Sequence, residues 1–117
     1  MSTPSTAPDD TTHTFITGLD LPAIGWDGPK PQVKRLHRSD SETIVRIAFA
    51  EGQVMPEHMA AHPIVVLGQT GEIDFEVGGE TFRLEPGSAI RVAARVPHTL
   101  TAATAGTVTL IVVHGRA

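Results

Sequence analysis

Nowhere along this chain do apolar residues keep a helical spacing for three turns. From residue 31 onward, short runs of β-prone residues are divided instead by Gly, Pro, Asp and Ser. Nine such runs can be read: "QVKRLHR", "TIVRIAFA", "QVMPEH", "PIVVL", "EIDFEV", "ETFRL", "SAIRVA", "HTLTA" and "TVTLIVV". Many short strands at this spacing imply an all-β fold, either a sandwich or a barrel. The segment before them has another texture. In "FITGLDLPAIGWDGPK", residues 15–30, isolated apolar residues are mixed with Gly and Pro. It reads as an irregular stretch lying over a core, with Trp26 as its anchor. Residues 1–12 are nearly all Ser, Thr, Pro and Asp, with little to bury, and read as a disordered tail ahead of a single domain at 13–117.

The best-determined local element is a hairpin over 72–85. Gly78 and Gly79 suit the positive φ angles of a two-residue type I′ turn. That turn sets Val77 opposite Glu80, Phe75 opposite Phe82 and Ile73 opposite Leu84. Phe75, Phe82, Ile73 and Leu84 are then expected on one buried face. On the other face Asp74 meets Arg83, and this opposite-charge pair pins the register.

Composition removes several classes of function. At 117 residues the chain can bury a core without metal or disulfide staples. A net charge of −4 leaves no electrostatic footprint for nucleic acid or an anionic membrane. With no cysteine there is no disulfide framework, thiolate nucleophile or sulfur-rich zinc site. The N-terminus has no basic and apolar leader pattern, and no run approaches the ~18 apolar residues of a membrane span, so a cytoplasmic protein is expected. No Gly-x-Ser-x-Gly elbow and no phosphate-cradling loop occurs, and tyrosine is absent.

The histidines carry the remaining chemistry. Strand parity in "GQVMPEH" puts Val54, Pro56 and His58 on one face, with Gln53, Met55 and Glu57 on the other. If the strand runs on, Ala60 and His62 lie on the His58 side. In "VPHTL", Val96, His98 and Leu100 point together; in "TVTLIVVH", Val108, Leu110, Val112 and His114 form the apolar row. Four of the six histidines are thus candidates for an interior. His13, in the tail, and His37, in the basic run "KRLHR", are not.

These residues resemble a cupin. The first cupin motif is Gly-x5-His-x-His-x3–4-Glu-x6-Gly; here Gly52 is followed by five residues and His58, and Gly71 falls at the closing glycine. The second motif is Gly-x5-Pro-x-Gly-x2-His-x3-Asn, and "GSAIRVAARVPH" supplies Gly87 and His98 at its separation. Fifteen residues lie between Gly71 and Gly87, a short inter-motif segment of the kind small prokaryotic cupins have. The resemblance covers roughly residues 43–113. It departs at Ala60, the second histidine position, and at Ile64 or Val65, the glutamate position. Ala93, Arg95 and Ala102 stand where the second motif has Pro, Gly and Asn.

The resemblance implies a double-stranded β-helix (jelly-roll) barrel, a homodimer, and a divalent transition metal (Zn, Fe, Mn, Ni or Cu) held by imidazoles on facing strands. His58 and His98 occupy ligand positions, and His62 is the candidate for the third. It lies two positions beyond the vacant one, and a loop histidine is the alternative reading. Val54, Ile73, Phe75, Phe82, Ile90 and Leu100 are the expected pocket wall. Arg91 and Arg95 flank the open end, either to meet an anionic substrate or simply as surface charge. Two functions stay open. One is a metal-dependent enzyme acting on a small organic substrate by dioxygenation, isomerisation or another Lewis-acid step. The other is a non-catalytic cupin that binds a small molecule or only folds and dimerises.

Overall fold

The structure, a computed structural model, describes residues 12–23 and 28–114. Trp26 and all but the last residue of the expected tail lie outside the described residues. The nine expected runs are nine strands: β1 (Gln32–Arg38), β2 (Glu42–Phe49), β3 (Val54–His58), β4 (Ile64–Thr70), β5 (Ile73–Val77), β6 (Glu80–Leu84), β7 (Ala89–Val92), β8 (His98–Ala102) and β9 (Gly106–Val113). They form two antiparallel sheets, one in the order β1-β2-β9-β4-β7 and the other β3-β8-β5-β6. No helix among the described residues is long and apolar enough to cross a membrane.

Alternation builds the core. Val45, Ile47 and Phe49 of β2, Ile64 and Val66 of β4, and Val108 of β9 turn one way from the first sheet. Ile73 and Phe75 of β5, Leu84 of β6, and Leu100 and Ala102 of β8 meet them from the second. The hairpin has the expected register, with Ile73 opposite Leu84, Phe75 opposite Phe82 and Val77 opposite Glu80. On its outer face Arg83 donates to both carboxylate oxygens of Asp74, at 2.9 and 3.2 Å. One expectation is corrected. Phe82 lies on the inward face but is 41% exposed, because β6 is an edge strand of its sheet.

The two ends of the barrel differ. At one end the backbones nearly touch: a methyl group placed on Gly106 would come within 2.2 Å of Thr70 O, and one on Gly71 within 2.1 Å of Ala105 O. Only glycine permits that approach. The other end is formed by the loop from β3 to β4, the loop from β7 to β8, and the hairpin tip. There the Arg95 N–H donates to Ala60 O at 2.7 Å, tying the two loops together.

Candidate functional site

That looser end opens into a cavity of about 180 Å³ between the sheets. Its wall is made by Val33, Ile47, Ile64, Val66, Leu110 and Val112 of the first sheet, facing Met55, Phe75 and Leu100 of the second, with Ala60 at the mouth. Two polar side chains reach it, His58 and His98. They are cross-strand partners on β3 and β8, with ring centroids 4.3 Å apart and planes inclined by 66°. His98 is only 3% exposed, and its other neighbour is Phe75, stacked at 5.2 Å. His58 stands at the solvent side.

Simple parity does not account for this pairing. Met55 faces Leu100 and His58 faces His98, so two residues of β3 span one residue of β8. Pro56 and Glu57 therefore form a β-bulge, as suits a strand position where proline offers no N–H to the ladder. The bulge reverses the alternation: Met55 points inward with His58, and Val54 points outward, 38% exposed. Val54 is thus not a wall residue. Nor is Phe82, left at the sheet edge. Ile73 is fully buried below the cavity and Ile90 packs against the core without lining it, so Phe75 and Leu100 are the members of the expected wall that line it. Val33, Ile47, Met55, Ile64, Val66, Leu110 and Val112 supply the rest of the apolar wall, with Ala60 at the mouth.

His62 takes a different position. It is exposed in the loop after β3, and its ring stacks on that of His114 at 5.4 Å, the planes 10° from parallel. Nε2 of His114 lies 2.7 Å from Thr43 Oγ1. The open end therefore carries four histidines as two pairs, one inside the mouth and one on its rim. Arg91 and Arg95 are exposed and do not line the cavity.

The backbone orients the inner pair. Nδ1 of His58 lies 2.8 Å from Pro56 O, and Nδ1 of His98 lies 3.0 Å from Val96 O. Burial, the largest influence on His98, lowers its pKa below the ordinary histidine range, and His58 adds to this while the bond to Val96 O opposes it. The net effect favours the neutral imidazole at His98.

The family model for the cupin domain matches residues 45–114, more than half of the chain. The chain belongs to the cupin family. No curated protein matches it. Among solved structures it is similar to an RmlC-like cupin protein from Desulfovibrio desulfuricans, with TM-score 0.75 and 23% identity over 87% of this chain and 98% of that one. It is also similar to KdgF from Halomonas sp., with TM-score 0.70 and 24% identity over 76% and 84% of the two chains. A third is an RmlC-like cupin with a double-stranded β-helix fold from Methanocaldococcus jannaschii, with TM-score 0.67 and 14% identity over 88% and 92%. At these identities the likeness is one of fold.

Within the cupin frame the motif glycines have a backbone role: Gly52, Gly71 and Gly87 have φ of 86°, 68° and 98°. Arg95, at the second motif's middle glycine, has φ 64° and is the only non-glycine with positive φ among the described residues. The ligand positions fare otherwise. The two surviving histidines suit a metal in one respect, since each Nδ1 is tied to a carbonyl and each Nε2 is left as a donor atom. Their number does not suit it. Ala60 and Ile64 line the cavity where further ligands would stand, His62 faces His114, and no group of three or more His, Asp or Glu among the described residues could hold an ion. Two nitrogens fill half of a tetrahedral centre.

Proposed function

We propose that this cupin binds a small organic molecule inside the barrel, with its apolar body in the cavity and its polar end against His58 and His98. The observation that carries this reading is the lining itself: a concave apolar wall with two adjacent imidazoles and, among the described residues, no other polar side chain. Concave, mostly apolar pockets with a few placed polar groups are the usual form of small-molecule sites. The test is a thermal-shift screen of small neutral organic compounds on the wild type and on Leu110→Phe, which fills the cavity. Ligands of the cavity raise the midpoint of the wild type and not of the variant. Hits that raise both equally would place binding elsewhere and end the reading.

One observation favours a second reading, the metal-dependent enzyme acting on a small substrate: both Nε2 atoms are free and oriented. It requires a third ligand, and His62 could serve only by leaving His114. Metal analysis of protein purified without a metal-affinity step separates the two. A stoichiometric transition metal lost in each of His58→Ala, His62→Ala and His98→Ala would establish the second reading; metal-free protein that binds organic ligands supports the first.

We also propose that the protein acts as a homodimer. Supporting this, β1 is one of the two edge strands of the larger sheet, and Val33 on it is 56% exposed.

A further inference from the structure

The two imidazoles are chemically more specific than their polarity suggests, because the backbone decides which nitrogen of each carries the proton. A carbonyl oxygen can only accept, so Nδ1 of His58 donates to Pro56 O and Nδ1 of His98 donates to Val96 O. In a neutral ring the remaining nitrogen is then a bare lone pair. Neither Nε2 has a hydrogen-bond partner among the described residues. Apart from Met55 with its thioether, the two imidazoles are the only side chains bearing a heteroatom among the described residues that line the cavity. A pocket that accepts twice and donates nowhere selects among ligands by charge and by hydrogen.

We infer that the cavity recognises a hydroxyl donor: a small apolar molecule, of the size of a single ring, that carries a phenolic or enolic O–H. This rests on the cavity being a ligand site. With both rings neutral, a carboxylate would bring its own lone pairs against two acceptors. An ammonium would leave water with no carboxylate among the lining residues to receive it. A hydroxyl satisfies an acceptor and adds no charge. An acidic hydroxyl, with a pKa of about 10 like tyrosine's, donates more strongly to an imidazole than an alcohol does. The volume agrees, since an apolar cavity of about 150 Å³ engineered into another protein binds benzene, and this one is about 180 Å³.

Titration calorimetry with phenol, anisole, toluene and benzoate, at a pH above the histidine range, tests the inference. Phenol is expected to bind about tenfold more tightly than anisole or toluene, with benzoate weakest, and the preference should vanish when both acceptors are removed in the double variant His58→Phe, His98→Phe. Nitrogen-15 spectra of the histidine rings in the wild type give a reading that needs no variant: both inner rings are expected as Nδ1–H tautomers, with Nε2 resonances that move on adding phenol. Equal binding of phenol, anisole and toluene would overturn the hydroxyl inference and leave the cavity reading standing. Preference for benzoate, or an Nε2–H tautomer at either ring, would overturn it as well. If none of the four binds, the cavity reading falls and this inference with it.

Discussion

Replacing Arg95 by glycine should stabilise the protein. Arg95 occupies the left-handed region, with φ 64°, at the position where the cupin motif has glycine. For a residue with a Cβ that conformation costs roughly 1–2 kcal/mol. Glycine removes this strain but makes the unfolded chain more flexible, an offset of about 0.4–1 kcal/mol. The main-chain bond from residue 95 to Ala60 O needs no side chain, so it survives the change, and the Arg95 side chain is exposed. The net expectation for Arg95→Gly is a gain of roughly 0.5–1 kcal/mol, or a rise in Tm of about 2–5 °C for a chain of this size. Urea unfolding is the assay: the midpoint should rise with an unchanged slope, the mark of a pure stability change. Arg95→Ala is the control, since it deletes the side chain yet keeps the Cβ, and it should leave the midpoint near the wild type. If Arg95→Gly is no more stable than Arg95→Ala, backbone strain is not what distinguishes this position and the reasoning fails.

Three further outcomes are expected. The lowered pKa of His98 means that the unfolded chain binds more protons than the folded one in the window just below the ordinary histidine range, so stability falls with pH there and levels off below the folded-state pKa; unfolding midpoints measured across that window should show the slope in the wild type and not in His98→Phe. Gly106→Ala should destabilise by about 1–3 kcal/mol, because its Cβ would meet Thr70 O at 2.2 Å; an unchanged Tm would mean that the closed end has slack. Light scattering should give the mass of a dimer, and Val33→Asp should shift it towards the monomer; a wild-type monomer at micromolar concentration would contradict the proposed assembly.

Much of the architecture was legible because local rules and the global fold agree. The Gly-Gly turn, with Asp74 and Arg83 across from each other, sets the hairpin register, and spaced turn residues mark all nine strands. The site was less legible, and each shortfall has a physical cause. Parity assumes an unbroken ladder, and the bulge at Pro56 and Glu57 breaks it, exchanging Met55 for Val54 at the wall. A proline inside a strand was the available signal. Phe82 shows that facing inward is not being buried, since burial also depends on where the strand sits in its sheet. The stacking of His62 on His114 depends on the path of a loop after β3, which no strand periodicity describes.

The Nδ1 bonds of His58 and His98 both run to the carbonyl two residues earlier in the chain. Each ring is therefore held by its own short stretch of chain, Pro-Glu-His in one case and Val-Pro-His in the other, and its packing partners, the other ring and Phe75, lie in the same sheet, not in the apolar wall opposite. Substitutions at Leu110, Val112 or Val66 would reshape the chamber without turning either ring. Shape and chemistry are then inherited separately: relatives that keep these two tripeptides could diverge widely in the size of what they hold while preserving the way they hold it. For engineering, the same independence makes this barrel a fixed pair of acceptors whose container can be re-cut.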